Sequence, residues 1–303
     1  MTEYRAHFDF EIDFANGGSL AGTDFRLDVP SKDIAPDALE TSLVRHLGLA
    51  LVSEVRLTKL RIVEEAHRGS RGVESVATQA GRRIVDLSHP IRAGLITYPG
   101  LPAPTIEPFL TREDSRSRYA PGTEFAMDII TMIGNTGTYL DSPFHRYAKG
   151  PDLAGLDLAT MVDLPAHVFH LTDAWTPDRR GINATMLADR DVRGAAVLLH
   201  TGWDKHFGSE AYGKGSPFLT EDGARFLADA GAAAVGIDAL NIDDTESGGT
   251  RPAHSILLDA GVHVVEHLTR LGELPPTGAR FTAAPPAVED FGTFPVRAFA
   301  IVA

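Results

Sequence analysis

Gly134-Asn135-Thr136-Gly137-Thr138-Tyr139-Leu140-Asp141-Ser142-Pro143-Phe144-His145-Arg146 is the stretch on which the reading of this chain turns. It gathers glycines, hydroxyls, an amide, a carboxylate and an imidazole into one short span. Directly before it, Met127-Asp128-Ile129-Ile130-Thr131-Met132-Ile133 is an apolar run of strand length with β-branched residues. The polar cluster is therefore expected where a strand gives way to a loop. Gly134 and Gly137 permit turns or close backbone approaches that a side chain would block. Pro143 removes a donor and disfavours helix at Ser142, so Asp141 and His145 are not expected to share a regular helix face. An Asp and a His on a rigid loop at a strand end are raw material for a metal or acid–base site. Polar turns after strands are common in α/β domains, so this stretch by itself also fits a plain turn.

Working outward, the bulk numbers exclude several classes. The 303 residues suffice for one large domain or two unequal ones. The hydrophobic fraction of 43% and charged fraction of 23% are ordinary for a globular protein. A formal net charge of -13 argues against a general nucleic-acid or anionic-membrane surface. No window approaches the roughly 18 apolar residues that span a bilayer. Met1-Thr2-Glu3-Tyr4-Arg5 is not a basic leader with an apolar core, so a cytoplasmic location is expected. With no cysteine in the sequence, disulfides, thiolate nucleophiles and Cys-ligated metals are excluded. A metal would have to be held by His, Asp, Glu and neutral oxygens.

Residues 1–65 read as a small N-terminal α/β module. His7–Phe14 and Phe25–Val29 alternate as half-buried strands, a helical pattern opens at Asp37, and Leu51–Val63 alternates again. This module has no evident catalytic constellation and fits a structural or dimerisation role. Residues 66–81, rich in Gly, Ser and Thr, read as a linker. From 82 to 303, strands are expected at Ile84–Leu87, Ala166–Leu171, Ala195–His200, Ala234–Asp238, Val262–Glu266 and Phe299–Ala303. Helices are expected after Phe218, with Thr220 as cap and Gly231 as stop, and over Pro252–Leu258. Glu113–Gly122 reads as an exposed loop. Alternating strands and helices make 82–303 one α/β domain.

The histidines sort by company. His7, His46, His67, His170, His206 and His263 have no obvious acidic companions. His145 and His254 do, in Asp141 and Glu266. Carboxylates and imidazoles together suit Zn²⁺ or Mn²⁺ with a position left for water. Sequence spacing does not show that 141–145 meets 254–266.

The central stretch, with Arg251-Pro252-Ala253-His254 and Val264-Val265-Glu266-His267-Leu268, resembles the cyclase-like metal-dependent hydrolase family. Bacterial kynurenine formamidase, isatin hydrolase and a trans-dienelactone hydrolase belong to that family. Ile84–Pro90, Tyr98-Pro99-Gly100, Leu198–Gly202 and Gly236-Ile237-Asp238 support the resemblance in the family's order, while the N-terminal 80 residues lie outside it. The family signature is His-x-Gly-Thr-His-x-Asp-x-Pro-x-His. Here Asn135 and Tyr139 stand at its first two histidines, and Gly137, Thr138, Asp141, Pro143 and His145 match.

The resemblance implies a swivelling β/β/α type of α/β fold. It also implies a metal set of Asp141, His254 and Glu266, with His145 as general acid/base or fourth ligand. An amide and a phenol are poorer Zn²⁺ ligands than imidazole, so one divalent metal is expected, not two. Asn135 and Tyr139 are then expected to face the substrate, as is Tyr98, an aromatic near it. The implied chemistry is attack of metal-bound hydroxide on a lactone, cyclic amide or N-acyl carbonyl of a small molecule. A homodimer or homotetramer is expected from the same resemblance. Two other classes stay open: a lyase, dehydratase or cyclase using the same metal, and an inactive ligand-binding relative.

Overall fold

Ala6, Phe8, Phe10 and Ile12 occupy alternate positions of the first strand, and all four are buried in one core. The two-residue strand period puts them on one face, where they pack with Leu39 and Leu43 of a helix. The computed structural model describes residues 2–47, 49, 51–66 and 81–303. They fall into two units, Met1–Gln79 and Ala80–Ala303. The stretch read as a linker, 66–81, lies outside the described residues apart from Ala66 and Gly81, and so does His67.

The first unit runs β1 (Thr2–Phe14), β2 (Ser19–Val29), α1 (Pro36–His46) and β3 (Val52–Ala66). It forms an antiparallel sheet of order β2-β1-β3. Pro36 opens α1 at its first turn, where a missing N–H costs nothing.

The second unit is a mixed α/β fold. In chain order its strands are β4 (Arg83–Asp86), β5 (Thr105–Leu110), β6 (Met127–Thr131), β7 (Tyr139–Asp141), β8 (Leu164–His170) and β9 (Gly181–Ile182). There follow β10 (Ala196–His200), β11 (Phe218–Leu219), β12 (Ala234–Ile237), β13 (His263–Glu266), β14 (Ala279–Thr282), β15 (Thr293–Pro295) and β16 (Phe299–Val302). Its helices are α2 (Arg112–Ser115), α3 (Glu221–Asp229) and α4 (Pro252–Asp259). Nine strands form one sheet of order β15-β7-β13-β12-β10-β8-β14-β16-β4. Only its centre, β13-β12-β10-β8, is parallel. Each of those four strands sends apolar side chains into a core on both faces. Phe169, Val197, Leu199, Val235, Ile237 and Val264 enter a core covered by α3 and α4. Val168, Leu198 and Val265 enter a second core closed by residues of the antiparallel strands, such as Val85, Phe281 and Ala300.

Several local expectations change. Phe218-Leu219 is a short strand beside β9, and the helix begins only after the Thr220 cap. Met127–Ile133 does not lead into the large sheet as an apolar strand. It ends at Thr131, pairs with β5 alone, and exposes Met127, Ile129 and Ile130. Glu113–Gly122 is largely exposed. It is pinned by buried Ser115, whose hydroxyl donates to the Arg112 carbonyl and accepts from the Phe125 N–H.

His263, at the start of β13, shows what burial does to an imidazole. Thr160 Oγ1 donates to the Asp157 carbonyl and so accepts from His263 Nε2 at 2.7 Å. The buried Nδ1 has no partner. Burial lowers the pKa of His263 from 6.5 to about 4. Between those values the unfolded chain binds a proton that the folded protein refuses, so stability falls as pH drops. The expected loss from this group is about 1.4 kcal/mol per pH unit. Urea unfolding of wild type and His263→Leu at pH 7, 6 and 5 checks it. The variant is expected to gain on wild type as pH falls, and a constant difference contradicts the assignment.

Candidate metal centre

Strand alternation sets the floor of the site. β7 runs antiparallel to β13, with Tyr139 opposite Glu266 and Asp141 opposite Val264. Leu140 and Val265 turn into the second core. Tyr139, Asp141 and Glu266 are thereby left on the other face, at the C-terminal ends of the parallel strands, where open α/β sheets place ligands. The segment read as a loop is thus a strand whose site face is polar. Gly134 must lack a side chain, because a Cβ there would lie 2.1 Å from the Thr293 carbonyl oxygen. Gly137 takes φ +67°, a left-handed turn that leads into β7.

Asp141, His145 and His254 offer donor atoms that all lie within 4.8 Å of one another. Asp141 is fully buried and His254 is 6% exposed, whereas the His145 side chain is 36% exposed. His145 sits on a single 3-10 turn, Pro143–His145, which continues directly from β7. Its Nδ1 lies 3.7 Å from Asp141 Oδ1. The Thr293 hydroxyl donates to Asp141 Oδ1 and lies 2.7 Å from His145 Nδ1. A hydroxyl has one proton, so Thr293 accepts from His145 Nδ1–H, which leaves the lone pair on Nε2. Asp243 does the same for His254. Its Oδ2 accepts from His254 Nδ1 at 2.7 Å and from the His254 N–H at 3.0 Å, and its Oδ1 accepts from the Ala253 N–H at 2.7 Å. His254 Nε2 then faces Asp141 Oδ2 at 3.5 Å and Glu266 Oε1 at 3.6 Å.

The expected trio of Asp141, His254 and Glu266 therefore meets, and His145 joins Asp141 and His254 in the tighter group. Glu266 is held differently from Asp141. Its Oε1 accepts from the Ile242 N–H at 2.6 Å, and its Oε2 from the Tyr139 hydroxyl at 2.6 Å. Tyr139 spends its only proton there, so its oxygen accepts from His267 Nε2 at 3.3 Å. His267 Nδ1 then accepts from the Tyr212 hydroxyl at 2.8 Å. All members of this chain are buried. Asn135 and Tyr139, the residues standing at the two signature histidines, both line the same cleft.

Thr293, Asp243 and Tyr212 escaped the sequence reading, and His267 enters it only within Val264–Leu268, without a role. Asp243 leaves a faint trace, as the acid that closes the loop from Asp238 before Pro252-Ala253-His254. Thr293 leaves none.

The donor chemistry fits a divalent cation. Asp141 Oδ2 is buried without a hydrogen-bond partner, and an uncompensated carboxylate oxygen inside a protein costs several kcal/mol. Burial alone would lower the pKa of His254. The carboxylate of Asp141, the hydrogen bond to Asp243 and the charge of Glu266 outweigh it and raise the pKa to about 10. Burial raises Asp141 too, but the nearby His254 ring and the charges of both histidines hold it below its ordinary value. A proton on His254 supplies the positive charge that this geometry demands, and a metal ion supplies it better. Each His is oriented by an oxygen behind it, the usual support of metal-binding imidazoles. Burial lowers the pKa of His267 to about 3, so its ring stays neutral between Tyr139 and Tyr212.

The site opens into a cleft of about 840 Å³ lined by Tyr98, Asn135, Tyr139, His145, His254 and Glu266 among others. Tyr98 is half-buried on its wall. The model of the Cyclase family matches residues 85–244, more than half of the chain. The chain belongs to the Cyclase family.

Several known proteins are similar to more than half of this chain. Kynurenine formamidase of Bacillus cereus is 26% identical over 71% of this chain and 95% of its own length. That of Geobacillus thermodenitrificans is 32% identical over 56% of this chain and 77% of its own. A solved structure of a potential metal-dependent hydrolase with cyclase activity superposes with a TM-score of 0.59 at 28% identity, covering 73% of this chain and 98% of that one. Isatin hydrolase A from Labrenzia aggregata gives a TM-score of 0.64 at 24% identity over 75% and 96% of the two chains, a likeness of fold alone.

Proposed function

We propose that this cyclase-family metal-dependent hydrolase cleaves the carbonyl–nitrogen bond of a small acyl aryl amide or cyclic amide, using one divalent cation. The grouping of Asp141, His145 and His254 at the foot of an open cleft carries this reading. The names of the relatives, a formamidase among them, agree with it. When bound, the cation lowers the pKa of water and polarises a carbonyl.

The chain's own residues do the rest. Asp141 Oδ2 and the Nε2 atoms of His145 and His254 are the donors, fixed by Thr293 and Asp243. Relative to the sequence expectation, this gives His145 the ligand role and Glu266 the proton. Glu266 Oε1 lines the cleft beside His254 and keeps a free lone pair, so it takes a proton from the attacking water and delivers it to the departing nitrogen. Tyr139 and the Ile242 N–H hold that carboxylate still. Overall one water adds: its oxygen bonds to the carbonyl carbon, the C–N bond breaks, and one proton goes to nitrogen. Tyr98 offers a flat surface for the aryl group.

Turnover of an acyl anilide in ¹⁸O-labelled water tests the reaction class. Label in the released carboxylate is expected. Product formed by loss of water without label would move the enzyme to elimination. Glu266→Gln tests the roles and is expected to retain metal while losing at least about a hundredfold in kcat. Loss of the metal in that variant would return Glu266 to the ligand set.

A further inference from the structure

His170 and His200 end the neighbouring parallel strands β8 and β10 and stand directly opposite each other in the register. Strand alternation puts them in line with Ala166 and Val168 and with Ala196 and Leu198, which fill the second core. Tyr139, Asp141 and Glu266 leave the sheet on its other face, and neither His170 nor His200 lines the cleft. The two Nδ1 atoms are 2.8 Å apart, with ring centroids at 5.0 Å and ring planes at 88°. Among the described residues neither ring makes another hydrogen bond.

The surroundings of the pair suit a cation. His170 is exposed, and His200 is half-buried at the rim of the second core. Gly272 makes room for the His200 ring, because a Cβ there would lie 3.0 Å from its Cε1 and 3.2 Å from its Nε2. That edge of the ring is seated on backbone, and Nδ1 is left facing His170. Burial, and then the charge of His170, lower the pKa of His200 below its ordinary value, against the charge of Asp204. One ring carries its proton on Nδ1 for the present contact. Moving that proton to Nε2, by way of solvent, frees both Nδ1 lone pairs with no net loss of a proton.

We propose that His170 and His200 form a second metal site, which takes a late first-row divalent cation, Cu²⁺ before others, through their two Nδ1 atoms. Metal–nitrogen bonds of about 2.0–2.1 Å set two nitrogens about 2.9 Å apart at a right angle and about 3.3 Å apart at the tetrahedral angle. The observed 2.8 Å matches the right angle. Square-planar and tetragonal ions take that angle, and Cu²⁺ stands highest in the affinity order of divalent ions. Tetrahedral Zn²⁺ needs the pair to open, and Mn²⁺ stands low in that order. Neither is expected to stay here once excess ion is removed. A Cu²⁺ at this point ties the ends of β8 and β10 together, with water in its remaining positions.

Cu²⁺ titrated by calorimetry into protein loaded with Zn²⁺ and freed of excess tests this, with Zn²⁺ content measured before and after. Wild type is expected to add one Cu²⁺ per chain while keeping its Zn²⁺. The added ion is expected to show two imidazole nitrogens by electron paramagnetic resonance and to raise the melting temperature. His170→Gln and His200→Gln are each expected to lose about a hundredfold in Cu²⁺ affinity, since a second ring on the same scaffold binds at high effective concentration. His170 is exposed, so the His170→Gln result does not hinge on folding. Uptake of Cu²⁺ only in exchange for Zn²⁺, or undiminished Cu²⁺ affinity in either variant, overturns the proposal. A wild type that keeps no Zn²⁺, yet loses one bound Cu²⁺ in each variant, would count against the catalytic centre alone.

Discussion

Asp141→Asn is expected to give a folded protein whose hydrolysis has fallen by about a thousandfold or more. The size follows from the metal's share of transition-state stabilisation, roughly 4 kcal/mol at a tenfold per 1.4 kcal/mol. Asparagine keeps the volume of the side chain, and its Oδ1 still accepts from the Thr293 hydroxyl. It replaces the buried, partnerless Oδ2 with a neutral group, so the charge opposite His254 is lost. His254 retains Asp243 behind it, so the stability cost stays near 1–3 kcal/mol. Steady-state kinetics with circular dichroism and urea unfolding measure both effects. Activity within tenfold of wild type would contradict the role given to Asp141.

The second large effect is expected at Asp243, which touches neither cleft nor substrate. Asp243→Ala strands the N–H groups of Ala253 and His254 and the Nδ1–H of His254. All three are buried at the start of α4, whose N-cap residue Arg251 contributes no side-chain cap of its own. Stranding buried donors at a charged partner costs about 3–5 kcal/mol. The His254 ring also loses the contact that fixes its tautomer, and metal affinity is expected to drop by about 10- to 100-fold. Asp243→Asn separates the two effects. Its Oδ1 can still accept from a backbone N–H, so stability should recover further than metal affinity does. Equal losses in both variants would mean that Asp243 acts only as a helix cap.

These expectations rest on residues of unequal visibility in the sequence. Val197-Leu198-Leu199 and Val235-Gly236-Ile237 were legible as strands because the parallel centre of the sheet is buried on both faces. β7 was not. Its site face carries Tyr139 and Asp141, so a three-residue strand imitates a polar turn. β9, β11 and β15 span two or three residues and are too short to show any period. The β5–β6 hairpin reversed the reading of Met127–Ile133, because an apolar run does not say whether its neighbours will cover it. At the site, Asp141, His145, His254 and Glu266 were legible by residue type and by family resemblance. The proposed division of roles, with His145 as ligand and Glu266 as proton carrier, was not, since it depends on which lone pairs Tyr139, Ile242 and Thr293 have already taken. Side-chain partners that act from across the fold leave no spacing to read.

The central claim is that Asp141, His145 and His254 hold a single divalent cation. Metal content per chain, measured by mass spectrometry on protein loaded with Mn²⁺ or Zn²⁺ and freed of excess, tests it most directly. One ion per chain in wild type is expected, with loss of that ion in Asp141→Asn and in His145→Gln. Two ions per chain in wild type, or an undiminished ion in either variant, would contradict the site.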